Sequence, residues 1–469
     1  VSKLRALFLH LALGLLVLQP AWGAGKPNHL LPTRRSDPIS WGTFLSCLET
    51  MEHWTGPGIP DWMVHSTVYS YTARKPLYDD MAHPLLDDAG EQRTMAVHQS
   101  GRVFFPPSWR QRGKGPMPIV MYCHGTNLLK DAVASSYGGH EWMFAAAAAA
   151  YYGFAVALPD MPGMGGDSAS YHPFCHARSL AFAVVDGIPA VRDLFATDPY
   201  VAGGGYAWDG RVFIMGYSEG GFASLAAARE MERHPEAYQS GKGFMLAGTA
   251  AMAGPFDISG TTRLQILRPA DPFDHPFFIP YVLLGYGAVY GRVMDPLEEL
   301  APALTESRED GNILEWSNGS TDGIVVDTLI ARRLGVPRDG VVLRALLRPE
   351  WVVRELEEPA YLTSPLRWIL EENDVARGWA PTRPILFAQG PDDRDVPLAN
   401  TLTAMGMLET AVRADGRDPQ GLLSYEPLDL PGGRTNHIKG ALLAIPLAFD
   451  WVYSQWRGMA EGAQAAATP

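Results

Sequence analysis

Cysteine is scarce: Cys47, Cys123 and Cys175 are the three in 469 residues. So few cannot staple a small disulfide scaffold, and no C-x-x-C or H-E-x-x-H spacing occurs. A structural or catalytic metal is not indicated, and no cofactor is expected. An exported chain could still pair two of the three, and Cys47 with Cys175 is the pair to test. Cys123 closes an apolar run and reads as a small core residue. Positive charge is also short: 38 Lys and Arg stand against 51 Asp and Glu, a net charge of −13, with no basic run. That removes nucleic acid from the expected partners. Long apolar runs are missing too. Ala6 to Leu18 is interrupted by His10 and falls short of the ~20 residues that span a bilayer. Lys3 and Arg5 precede it and Ala21-Trp22-Gly23 follows, the pattern of a cleavable signal peptide. Cleavage is expected near Gly23 or Ala24, giving a secreted or periplasmic chain with no stable transmembrane anchor.

What remains is a chain 47% hydrophobic and 19% charged, enough for a large core. The stretch 25–62 is rich in Pro and Gly and reads as an N-terminal extension. Residues 64–71 favour a strand. Thr94 to His98 and Gly101 to Phe105 read as two short strands around a Ser-Gly turn, making antiparallel strands that open a sheet. From there strands and helices alternate. Strands are expected at Met117 to Cys123, Gly153 to Leu158, Val212 to Met215 and Gly243 to Ala251. Helices are expected at Glu141 to Tyr151, His176 to Ala196 and Glu219 to Arg233. Such alternation means a mostly parallel sheet with helices on both faces, an α/β fold. After Gly254-Pro255-Phe256-Asp257 it stops for a helical, irregular stretch far longer than an ordinary connection. It resumes at Pro384 to Ala388, with a short strand near Leu422 to Leu428 and a last helix from Lys439 to Trp456. The expected division is therefore a signal peptide 1–24, an extension 25–62, a core in two parts (63–256 and 383–457), a helical cap insertion 257–382 and a disordered tail 458–469.

The chemistry centres on Gly216-Tyr217-Ser218-Glu219-Gly220-Gly221, a G-x-S-x-G sequence between a strand and a helix. That context marks a nucleophile elbow, where a serine sits on a sharp, strained turn. Gly216 and Gly220 leave room for the turn, and Gly221 lets the helix approach the sheet. A serine hydroxyl needs an imidazole to take its proton and a carboxylate to orient that imidazole. In open α/β sheets these lie beyond the carboxyl ends of the strands. After the strand at Ile385 come Asp392, Asp393 and Asp395. The spacing G-x-x-D-x-x-V-P favours Asp393, leaving Asp392 and Asp395 as solvated or turn-forming acids. His437 is the only histidine that follows, in a loop before the last helix. The order Ser218, Asp393, His437 is that of the α/β-hydrolases. An oxyanion hole would take one backbone N–H from Glu219 and one from Thr126, with His124 bracing the loop. Phe277, Phe278, Leu283 and their neighbours concentrate apolar surface in the insertion. They either wall a substrate pocket or pack the insertion on itself.

Together these stretches resemble the secretory lipase family of α/β-hydrolases, bacterial and fungal. The resemblance rests on His124-Gly125-Thr126, Pro159-Asp160 with Gly163 and Gly165, the elbow, and Ala253-Gly254-Pro255-Phe256-Asp257. Asn373-Asp374 with Trp379 and Pro381, and Asn436-His437, complete it. It spans about residues 64–456 and implies the α/β-hydrolase fold and hydrolysis of carboxylic esters, of small molecules or lipids, by an acyl-enzyme on Ser218. A serine peptidase of the same fold is the alternative; no β-propeller repeat, which large oligopeptidases of that kind carry, is seen. The oligomeric state is not legible.

Overall fold

The computed structural model describes residues 64–107, 115–239, 243–268, 272–428 and 435–466. The expected signal peptide and N-terminal extension, and Cys47, lie outside them. Among the described residues eight strands make one sheet: β1 (His65–Pro76), β2 (Thr94–Phe105), β3 (Met117–Cys123), β4 (Ala155–Pro159), β5 (Trp208–Tyr217), β6 (Met245–Met252), β7 (Ile385–Gln389) and β8 (Leu423–Pro427). Their order is β1-β2-β4-β3-β5-β6-β7-β8. β1 and β2 pair antiparallel, as do β2 and β4, and every later pairing is parallel. Two antiparallel strands therefore open a sheet that is otherwise parallel.

Helices of eight residues or more are α1 (Glu141–Tyr152), α2 (Ala177–Thr197), α3 (Glu219–Arg233), α4 (Phe278–Tyr290), α5 (Gly323–Leu334), α6 (Pro365–Glu372), α7 (Leu398–Ala414) and α8 (His437–Ala466). Strand side chains alternate between two cores. Along β3, Ile119 and Met121 join one, Val120 and Tyr122 the other. The second core takes α1 and α8, and its alanine tract, Ala145 to Ala149, is buried against the sheet. The first takes α2, α3 and buried apolar side chains described from Phe256 to Trp379, between β6 and β7. Tyr286, Leu300, Ile330 and Val352 of that stretch belong to the same cluster as Phe222 of α3. The insertion is thus packed continuously onto the sheet's helices.

Away from the site, two expectations of local structure are corrected. Ser100-Gly101 is no turn, because β2 runs unbroken and pairs with β1 from His65 opposite Phe105 to Pro76 opposite Thr94. A Cβ at Gly101 would stand 2.6 Å from the Tyr69 ring and 2.6 Å from the Leu158 carbonyl oxygen. The glycine serves close approach across three strands, not chain reversal. The expected disordered tail, 458–469, is helical as far as it is described, since α8 continues to Ala466. Residues 458–466 are largely Ala, Glu, Gln and Met, good helix formers. Arg457 pairs with Glu461 at 3.1 Å one turn on, and Met459 packs against the core.

Candidate active site

Ser218 lies between β5 and α3 with φ 59° and ψ −124°, a conformation that L-residues avoid. The surrounding glycines are required by the backbone around them. A Cβ at Gly216 would fall 2.4 Å from the Gly220 carbonyl oxygen, and one at Gly220 2.0 Å from that of Cys123. A Cβ at Gly221 would stand 2.2 Å from the Met252 carbonyl oxygen. α3 therefore starts pressed against the ends of β3 and β6. The Ser218 N–H donates to Met252 at 2.9 Å, which ties the turn to β6. The chain conformation aims the serine before any catalytic partner is considered.

The structure brings His437 and Asp393 to this serine. The His437 Nδ1–H donates to Asp393 Oδ2 at 2.6 Å, leaving Nε2 to accept from the Ser218 hydroxyl at 2.7 Å. Asp393 is itself held: Val396 N–H donates to its Oδ1 at 2.9 Å, and Gln389 Nε2 to its Oδ2 at 3.3 Å. His437 is the first residue of α8 rather than part of a loop before it. Asn436 accepts the Lys439 N–H at 3.1 Å and acts as the cap, and the Tyr217 hydroxyl donates to the His437 carbonyl at 2.8 Å. Burial works against a charged His437. The charge and hydrogen bond of Asp393, with Asp395 and Asp274 adding, outweigh it and raise the pKa above 6.5.

Thr126 and Glu219 border the same cavity as Ser218. Glu219 opens α3, so its backbone N–H has no carbonyl partner within the helix. Below the Thr126 loop, both ring nitrogens of His124 face carbonyls, Gly125 at 2.7 Å and Asp160 at 3.1 Å. The Glu141 carboxylate accepts from Gly125 N–H at 2.8 Å and from the Tyr122 hydroxyl at 2.6 Å. Burial would lower the pKa of His124, but Glu141 and the two carbonyls raise it. A histidine donating to two carbonyls braces this loop and is not free to act as a base.

Asp392 is exposed, as a solvated acid should be, but Asp395 is not. Asp395 is buried and accepts from His275 Nδ1 at 2.7 Å. Sequence reading missed His275, which stands in an irregular loop with no periodic signal. Its pKa is raised by Asp395 against the opposing effect of burial. The cavity lies between the ends of β5, β6 and β7 and the insertion. Phe278, Ile279, Leu283 and Tyr286 of α4 line it, with Phe174 from the core. Phe277 does not. Its ring packs where a Gly323 Cβ would be only 2.7 Å away, and its N–H donates to Asp327 at 2.9 Å. Adjacent helical residues point to different faces, so one phenylalanine meets the cavity and its neighbour meets α5.

Cys123 and Cys175 are free and buried, with the thiol of Cys123 pushed up to about 12 by burial. The proposed partner of Cys175, Cys47, lies outside the described residues. Among the described residues no group of three or more His, Cys, Asp or Glu side chains could hold a metal ion, and no helix is long and apolar enough to cross a membrane.

Solved structures share this architecture. The rice cell wall degrading esterase LipA from Xanthomonas oryzae is 21% identical with a TM-score of 0.60, covering 83% of this chain and 89% of its own. A putative hydrolase from Legionella pneumophila is 18% identical with a TM-score of 0.61, covering 89% and 95%. Candida antarctica lipase A in its closed state is 15% identical with a TM-score of 0.50, covering 82% and 78%. The chain has the α/β-hydrolase fold. No family model matches it, and no curated protein does.

Proposed function

We propose that this chain is an exported serine hydrolase of carboxylic esters. The observation that carries the reading is the pair of hydrogen bonds, Ser218 to His437 at 2.7 Å and His437 to Asp393 at 2.6 Å, beside a cavity walled by apolar side chains. Ser218 Oγ attacks the ester carbonyl carbon while His437 Nε2 takes its proton. Asp393 holds the tautomer and stabilises the imidazolium. The oxyanion is held by the backbone N–H groups of Glu219 and Thr126. As the tetrahedral intermediate collapses, His437 returns the proton to the departing alcohol. Water then attacks the acyl-enzyme by the same route and releases the acid. An apolar cavity suits an acyl chain and offers little to a peptide backbone, which favours esterase or lipase over peptidase. Residues 1–24 would direct export. The reading further assigns residues 257–382 as a cap over the site, with Phe278 and Leu283 against the acyl group.

A panel of p-nitrophenyl esters from acetate to palmitate, run beside aminoacyl anilides, tests the proposal. Ester turnover that disappears in Ser218→Ala is the expected result. Anilide turnover without ester turnover would turn the assignment to a peptidase.

A further inference from the structure

The residue after the nucleophile carries a carboxylate, and it is buried. The Glu219 and His172 side chains are each 1% exposed, and His172 Nε2 is hydrogen-bonded to Glu219 Oε1. Glu219 Oε2 is buried without a hydrogen-bond partner among the described residues. The other ring nitrogen, His172 Nδ1, faces the Pro162 carbonyl oxygen at 2.6 Å. A carbonyl only accepts, so Nδ1 carries a hydrogen. A hydrogen bond between Nε2 and Oε1 needs one further hydrogen. The pair is then imidazolium with carboxylate or imidazole with carboxylic acid, and its net charge is zero either way. The rings of Tyr281 and Phe174 stand 5.7 and 6.3 Å from the His172 ring, closing it off from water.

Cancellation matters because of where Glu219 sits. Burial is the main cause of the raised pKa of Cys175 and of Tyr281, and an unbalanced negative charge on the Glu219 side chain would add to it across the site. That charge would also oppose the negative oxygen that develops beside the Glu219 backbone N–H. We infer that His172 is a positioning residue: it neutralises and holds the Glu219 side chain so that the Glu219 N–H can stabilise an oxyanion. This rests on the serine-hydrolase reading of Ser218. The ester in the ground state is neutral and the transition state is not. Loss of His172 should therefore depress kcat and leave KM nearly alone.

The test is a double-mutant cycle in the full chain: wild type, His172→Gln, Glu219→Gln and both together, with kcat and KM for p-nitrophenyl butyrate and melting curves. The glutamine amide can hydrogen-bond to Glu219 but cannot carry the balancing charge. His172→Gln should lower kcat by roughly 10- to 100-fold with KM within about threefold, somewhat less than removing an oxyanion donor outright. In the Glu219→Gln background, where no charge remains to balance, the same change should cost less than about threefold in kcat. Removing one member of a buried pair also threatens folding, whereas the double variant leaves no orphan charge. If His172→Gln does not fold, a double variant more than about threefold slower than Glu219→Gln in kcat still overturns the inference. An equal loss in both backgrounds, or a loss confined to KM, overturns the inference. Ser218→Ala in the same series separates the two ideas. Activity surviving there sinks the serine reading itself, while a silent Ser218→Ala beside an uncoupled His172→Gln sinks only the role of His172.

Discussion

Two buried histidine–carboxylate pairs meet at the elbow, His437 with Asp393 and His172 with Glu219. Residue types and burial are alike, and the difference lies in what the second ring nitrogen faces. His437 Nε2 faces the Ser218 hydroxyl, which can give up a proton. His172 Nδ1 faces a carbonyl, which has none to give. The first pair can carry a proton through a reaction, whereas the second can only hold one. A third pair, His275 with Asp395, lies two residues from Asp393 along the chain and ties the insertion to the acid loop. Neither residue type nor a buried partner identifies a catalytic base; the atom on the far side of the ring does.

The sharpest break is Ser218→Ala. It should lower kcat by about 10⁴-fold or more with the fold intact, since only binding and oxyanion stabilisation remain. Near-normal ester turnover by a folded, pure sample would end the contrast between the pairs.

Next comes the acid. Asp393→Asn should cost on the order of 10⁴-fold in kcat by favouring the wrong tautomer of His437. Asp395→Asn, which removes the charge beside His275 and touches no hydrogen bond of His437, should cost about tenfold or less. Equal losses in parallel kcat measurements would mean that the two acids share the task.

The pH profile follows from the raised pKa of His437. His437 must be neutral to accept the serine proton, so kcat/KM should fall on acidification with a midpoint above 6.5. The same shift has the opposite consequence for stability. A histidine whose pKa is higher folded than unfolded adds stability below its unfolded value and loses it as pH rises through the folded value. Activity and this contribution should therefore run in opposite directions above 6.5. A flat rate from pH 4 to 8 would argue against a histidine base.

The smallest effects compare Phe278 with Phe277. Phe278→Ser should hurt long esters more than acetate, by up to about 0.8 kcal/mol, or roughly fourfold, per methylene that loses its wall. Phe277→Ala should spare that discrimination and instead cost stability, about 3–5 kcal/mol for a buried phenylalanine. Rates on acetate, butyrate and octanoate esters, with melting curves, read both. A uniform loss in Phe278→Ser with a lower melting temperature would remove α4 from the substrate site.

Much of the framework was legible in the residues. Apolar runs alternating with helical stretches announced the parallel sheet, and the glycines of the elbow announced the turn, because both are local: a strand's burial and a turn's steric room are written in neighbouring residues. The chain order of Ser218, Asp393 and His437 likewise named candidates. Contacts across the fold decided the rest. The Ser218–His437 bond joins residues 219 apart. Gly101 looked like a turn because its need for space comes from Tyr69 and Leu158 on adjoining strands. Asp395 looked solvated until His275 met it from the insertion, and His172 carried no pattern at all. A residue's period along the chain reports which face it occupies; only packing reports which atom from another element stands opposite, and that atom sets a side chain's charge, its proton and its role.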